Sequence, residues 1–169
     1  MRVGIAGYGV VGKTRHQSIE SNTAYQVTAI SESNGEARKF IPAGINVYND
    51  YKSLIASADI DVIFISLPNL FAAEAACLSL QRGLHVFCEK PPARTHAELL
   101  EVEKQSLKFP ELKLMYGFNH RFHLSVEEAK SIIDSNSLGR LINMKGVYGK
   151  SQMISFNQTD WRTNREASG

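Results

Sequence analysis

"RVGIAGYGVVG", Arg2 to Gly12, is the stretch on which the fold turns. Its apolar run, Val3-Gly4-Ile5-Ala6, reads as a buried strand. The run breaks into Gly7-x-Gly9-x-x-Gly12, and a helical pattern follows from Val10 to Ser21. Strand, glycine turn and helix together are the context that gives this spacing a mechanism. Gly7 allows the tight turn, Gly9 lets backbone approach a pyrophosphate, and Gly12 lets the helix pack on the strand. Helix-start N–H groups and the helix dipole then favour the phosphates. With Tyr8, Val10 and Val11, these glycines form a candidate cofactor-binding turn, against the plainer reading of a structural turn without a ligand.

The residue that reads the adenosine ribose is expected about 20 positions further on, at the end of strand two. Ser31-Glu32 stands there. Glu32 can accept from the ribose 2′-hydroxyl, which favours NAD. A serine at 31, where an NAD-type acid often sits, leaves room for a 2′-phosphate, and Arg38 and Lys39 are close in sequence. The cofactor is therefore NAD or NADP, with the balance toward NAD.

Outward from the turn, short apolar runs alternate with helical patterns. Residues 25–31 read as strand two, and 35–41 as a short helix before Pro42. A weak third strand lies near 45–48, and Asp50 caps a helix over 51–57. "DVIFIS", 61–66, is apolar enough for a strand buried on both faces. Asn69 is placed to cap the helix that runs to Arg82, with Gly83 as the residue after it. "LHVFC", 84–88, is strand five. Thr95 and Glu98 form a capping box for a helix from His96 to Lys108, and 112–118 is strand six. This βαβαβ alternation predicts an α/β fold, a Rossmann-type doubly wound and mostly parallel sheet.

The character changes after residue 120. Ser125 and Glu128 look like a capping box opening a helix to Ser135. In "LINMKGVYGK", 141–150, Ile142, Met144 and Tyr148 alternate with Asn143 and Lys145, which suits an antiparallel strand. The expected domains are 1–120, a dinucleotide-binding unit, and 121–169, the incomplete start of an α/β C-terminal domain for substrate and oligomerisation.

Ligands of open parallel sheets bind outside the carboxyl ends of the strands. The unusual residues of this chain fall at such ends: Gly7 after strand one, Leu67-Pro68-Asn69 after strand four, Glu89-Lys90-Pro91 after strand five, and Asn119-His120-Arg121 after strand six. Leu67, Pro68 and Asn69 read either as a wall against a cofactor ribose or as a helix entry. Asn119, His120 and Arg121 offer an amide, an imidazole and a guanidinium to a pocket mouth, or are polar residues at a domain junction. His16 lies past the glycine turn and reads as structural. No histidine has a partner at metal-ligand spacing, so no metal is expected.

Bulk properties exclude other classes. The 169 residues are 43% apolar with net charge +2, which is globular and argues against nucleic-acid or membrane-surface partners. No apolar run approaches the ~18 residues that span a bilayer, and the N-terminus enters a strand without a leader pattern. Cys77 and Cys88 form no CxxC and read as buried thiols. A reducing cytoplasm is the expected location.

"GYGVVG" followed by His16, "SLPN", "EKPPA", "GFNHRF" and the late "DWRTNREASG" together resemble the Gfo/Idh/MocA family, the glucose–fructose oxidoreductase and inositol dehydrogenase group. The resemblance implies hydride transfer between NAD(P) and a carbinol carbon of a sugar, sugar nucleotide or cyclitol. It makes Lys90 the catalytic lysine, in contact with substrate. Glu89 and Pro91 then shape the nicotinamide end, with a cis Lys90–Pro91 bond, and Trp161 and Arg162 approach cofactor or substrate. Such proteins run on well past residue 169 to a D-x-x-x-H stretch, so the chain reads as truncated and as a poor dehydrogenase by itself. The alternative is a non-catalytic dinucleotide-binding redox sensor or assembly module. An unpaired apolar half-sheet also predicts a homo-oligomer.

Overall fold

The computed structural model describes residues 1–149, 161 and 164–169. They fall into two compact units, Met1–Gly117 with Thr159–Gly169, and Phe118–Gln158. Six strands build the first: β1 (Arg2–Ala6), β2 (Gln26–Ser31), β3 (Asn46–Tyr48), β4 (Val62–Ile65), β5 (His85–Cys88) and β6 (Leu114–Tyr116). They are ordered β3-β2-β1-β4-β5-β6, and every neighbouring pair is parallel. The chain builds outward from β1 to β3, then crosses back to start β4 on the other side of β1. That reversal opens a crevice above the carboxyl ends of β1 and β4. The expected doubly wound sheet is the one observed.

The pleat sorts side chains to two cores. Val3 and Ile5 of β1 pack with Val27, Ile30 and Val62, and with Ile19 of α1 (Val10–Glu20). On the other face Ala6, Ala29, Ile63, Ile65 and Val86 meet α3 (Tyr51–Ser57), α4 (Asn69–Gln81) and α5 (His96–Lys108). Ala72, Ala73, Ala75 and Ala76 are all buried on α4, and their small side chains let it lie close to its neighbours. Ile5 and Ile63 are fully buried, each contributing roughly 1.5–3 kcal/mol of transfer free energy.

Most predicted ends hold. Asp50 accepts the Ser53 N–H at 2.8 Å, and Gly83 takes φ 85° just past α4. Thr95 caps α5 by accepting the Glu98 N–H at 3.2 Å. The Glu98 carboxylate bonds chiefly the N–H and guanidinium of Arg94, and the Thr95 N–H is its weaker partner.

Some expectations fail for local reasons. The helix predicted over 35–41 is α2 (Gly35–Arg38), because Phe40 and Ile41 close three-residue turns onto Ala37 and Arg38 before Pro42. Asn69 does not cap α4. It is the first helical residue, and its side-chain amide donates to the Ser168 carbonyl at 2.7 Å. Ser168 belongs to α7 (Arg165–Ser168).

In the second unit a 3-10 turn, Asn119–Phe122, precedes α6 (Leu124–Asp134). Ser125 lies inside the first turn of α6, with His123 at the cap, so no box forms there. The strand expected over 141–150 is absent from the described residues 141–149, and Ile142 is 92% exposed. A strand needs a ladder partner, and the described residues of this unit contain no other strand.

Candidate cofactor and active site

The ends of β1 to β5 surround a cleft of about 810 Å³, a size suited to a nucleotide-like ligand. Gly7, Gly9, Val10 and Val11 form one wall. Gly7 has φ 89°, and a Cβ on it would stand 2.6 Å from the Ser66 carbonyl oxygen. Gly12 touches the turn more tightly still, since a Cβ there would lie 2.1 Å from the Gly7 oxygen. Gly9 differs: a Cβ on it meets nothing within 4 Å. Two glycines are thus required by the fold, and the third keeps open the space in front of the helix.

That space is built to take an anion. The first helical bond runs from the Lys13 N–H to the Gly9 carbonyl. The N–H groups of Val10, Val11 and Gly12 have no acceptor among the described residues. Gly9 at the cap supplies no side chain, and the first turn carries no acid. Ser66 Oγ, at the same end of the sheet, is buried without a hydrogen-bond partner. The Val10 and Val11 donors at the helix start fit the pyrophosphate of a dinucleotide.

Tyr8 and Gly12 do not line the cleft but support it. Tyr8 is buried, and its hydroxyl lies 2.7 Å from His16 Nδ1. His16 Nε2 faces Glu20 Oε1 at 3.3 Å. His16 is therefore the structural clamp expected of it. Burial pushes the Tyr8 phenol upward.

Ser31 and Glu32 lie in the cleft wall at the end of β2. Glu32 Oε2 accepts the Tyr8 N–H and Oε1 accepts the Asn34 N–H, both at 2.8 Å. Two backbone bonds fix the carboxylate, and each oxygen keeps a further lone pair for a ligand. Arg38 Nε donates to the Glu32 carbonyl at 2.6 Å, and Lys39 pairs with Glu36 at 2.8 Å.

Leu67, Pro68 and Asn69 line the cleft after β4. After β5 come Glu89, Lys90 and Pro91, joined by a cis Lys90–Pro91 bond. Glu89 turns toward Arg15 of α1, whose Nε donates to Oε1 at 2.6 Å. Lys90 makes no hydrogen bond or ion pair among the described residues and is exposed at the rim. Trp161 also lines the cleft.

Asn119, His120 and Arg121 lie exposed on the 3-10 turn of the second unit, where the His120 ring stacks on His123 at 4.8 Å. Arg162 lies outside the described residues. Among the described residues no cluster of His, Cys, Asp and Glu could hold a metal ion.

Ser66, the first residue of the strand-four end Ser66–Asn69, lines the cleft as well, and sequence reasoning missed Ser33, Asn49, Asp50, Tyr51, Phe71 and Ser168. Four of them follow the ends of β2 and β3, so the rule applied to strands one, four, five and six would have found them. Tyr51 and Phe71 form a tilted aromatic pair with centroids 5.8 Å apart. Burial first, and a bond to Glu74 second, raise the Tyr51 phenol. The Ser53 N–H holds the Asp50 carboxyl below its usual range.

Comparison with known proteins agrees with this geometry. The chain is 30% identical to levoglucosan dehydrogenase of Pseudarthrobacter phenanthrenivorans, across all of this chain and 46% of that protein. Myo-inositol 2-dehydrogenase of Lactobacillus plantarum superposes with TM-score 0.78 at 28% identity, covering 84% of this chain and 43% of that one. Scyllo-inositol dehydrogenase of Lactobacillus casei, solved with NAD(H) and scyllo-inositol, gives TM-score 0.75 at 28% identity over 82% of this chain and 42% of that one. The chain spans about half the length of the curated relatives it matches. No helix among the described residues is long and apolar enough to cross a membrane. The profile of the Gfo/Idh/MocA oxidoreductases, described by their NAD-binding Rossmann fold, matches residues 1–117, and the chain belongs to that family.

Proposed function

We propose that this chain is the NAD-binding, lysine-bearing part of a dehydrogenase that oxidises a carbinol carbon of a sugar, sugar nucleotide or cyclitol. One observation carries the reading: the N–H groups of Val10 and Val11, without an acceptor among the described residues, open on the cleft that Lys90 also lines. The inositol and levoglucosan dehydrogenases among its relatives support the substrate class.

When bound, the cofactor supplies the acceptor for the hydride that leaves the carbinol carbon. The protein must then manage the hydroxyl proton. Lys90 as an ammonium can donate to the carbinol oxygen and stabilise the negative charge that develops there. As a free amine it can take the proton. Glu89 and Pro91 set the direction of the lysine. Cofactor roles for Leu67, Pro68, Asn69, Trp161 and Arg162, and substrate roles for Asn119, His120 and Arg121, rest on the family motifs.

NAD is the preferred cofactor in this reading. Glu32 is fixed by two N–H bonds at the end of β2, where its charge would repel a 2′-phosphate. Arg38 and Lys39, the cations that could hold such a phosphate, are engaged with a carbonyl and with Glu36. The half-buried Cys77 and buried Cys88 thiols fit a reducing cytoplasm. Exposed apolar residues of the second unit, Leu124, Ile142 and Val147 among them, support self-association, which light scattering would show.

Calorimetric titration of the chain with NADH and NADPH tests the proposal. Saturable binding of NADH, tighter than NADPH, is expected. No saturation with either cofactor would refute it.

A further inference from the structure

Arg15 belongs to none of the motifs that mark the cleft, yet it reaches one of them. From α1 its Nε donates to Glu89 Oε1 at 2.6 Å, and its second guanidinium nitrogen closes on the same oxygen. The guanidinium carbon lies 5.1 Å from the centroid of the Phe87 ring. Both partners are sheltered, with side-chain exposures of 27% and 14%. Gly117 approaches the carboxylate from β6: a Cβ there would stand 3.1 Å from Glu89 Oε2. The Glu89 N–H is also tied, to the Ile65 carbonyl at 2.9 Å. Glu89 is thus held at its backbone and at its carboxylate, while the next residue, Lys90, is bonded to nothing among the described residues.

Glu89 and Lys90 are chain neighbours on flexible side chains, so a Glu89 carboxylate without another partner is within reach of the Lys90 ammonium. An arginine fork matches a carboxylate better than an ammonium does, so it can take the acid away from the lysine. The other charged groups near this turn, Arg94 and Glu98, pair with each other at 2.5 Å. The Cys88 thiol and Tyr116 phenol stay neutral, both raised by burial.

We propose that Arg15 is the positioning residue of the Glu-Lys-Pro turn: it occupies Glu89 and so leaves the Lys90 ammonium free to meet the substrate oxygen. The proposal rests on the reading of Lys90 as the proton-handling group. It is tested on the free chain without cofactor, so failure of cofactor binding and failure of this idea are separate results.

The measurement is the titration midpoint of Lys90, followed by NMR after reductive methylation with ¹³C-formaldehyde and assigned with Lys90→Arg. It is made for the parent, Arg15→Gln, Glu89→Gln and the double variant. If Arg15 only adds charge, Glu89→Gln shifts the midpoint equally with and without Arg15. If Arg15 restrains Glu89, its removal lets the carboxylate pair with Lys90. Glu89→Gln should then lower the midpoint by a few tenths of a unit in the parent and by about one unit in the Arg15→Gln background. Arg15→Met, which keeps the packing on Phe87, provides a second background with the same expectation should Arg15→Gln not fold. Equal shifts in the two backgrounds overturn the proposal.

Discussion

Gly9→Ala and Gly12→Ala should separate binding from folding, although the residues are three apart on one turn. A Cβ at Gly12 would lie 2.1 Å from the Gly7 carbonyl oxygen and 3.0 Å from its carbon. That obstacle is backbone, so no rotamer change relieves it. Helix α1 must move off β1, loosening the packing of Ile19 and His16. Overpacking of this kind costs about 3 kcal/mol, or about 10 °C in Tm for a domain of this size. A Cβ at Gly9 meets nothing within 4 Å, so Gly9→Ala loses only the roughly 0.5–1 kcal/mol by which glycine is the better cap. It does, however, fill the space in front of the N–H groups of Val10 and Val11. NADH affinity should fall by about 10- to 100-fold, about 1.4–2.8 kcal/mol. Urea denaturation and NADH fluorescence titration on both variants provide the assay. A Gly9→Ala chain as unstable as Gly12→Ala, or one that binds NADH like the parent, refutes the reasoning.

Three further outcomes follow from the buried and paired groups. Tyr8→Phe removes the hydroxyl 2.7 Å from the buried His16 Nδ1 and should cost about 1–2 kcal/mol in urea denaturation; unchanged stability would mean the bond contributes nothing. The Arg2 guanidinium, then the Arg2 N–H, hold the Asp61 carboxyl at about 2, below the unfolded value of ~3.9. A lowered carboxyl stabilises the fold fully above about pH 4 and loses that contribution as pH falls toward 2. With the side chain 36% exposed, the screened contribution is about 1 kcal/mol. Asp61→Asn should therefore be less stable than the parent at pH 7, with the gap closing between pH 4 and pH 2; a constant gap contradicts the assignment. Burial pushes the Cys88 thiol to about 12, so Ellman's reagent at pH 8 should label it only when denaturant unfolds the chain. Rapid labelling of native Cys88 would count against that burial.

The sheet was legible because burial on both faces writes continuous apolar runs such as Val62–Ile65, and because glycines with a backbone reason stand between them. Gly7 and Gly12 are of that kind, and each meets main chain where a Cβ would go. Topology alone led to the expected convergence of strand ends one, four, five and six; ends one, four and five line the cleft, and Asn119, His120 and Arg121 after strand six are not among its lining residues. Local partners were not legible. Asn69 has the composition of a cap, but it is drawn to a carbonyl at Ser168, far along the chain. The Arg15–Glu89 contact spans the sheet from α1 to the end of β5, and no spacing rule connects positions so distant in sequence. Alternation over 141–149 promised a strand, but the pattern records which side chains prefer burial and cannot supply a hydrogen-bonding neighbour.

The glycine turn and the ends of β2, β4 and β5 line one cleft, proposed above as a single dinucleotide site. Backbone amide NMR of the chain during NADH addition tests it most directly. Saturable shifts are expected at Gly9, Val10, Val11, Glu32, Leu67 and Lys90, with α5 unaffected. Shifts centred on α5, or none at saturating NADH, would contradict it.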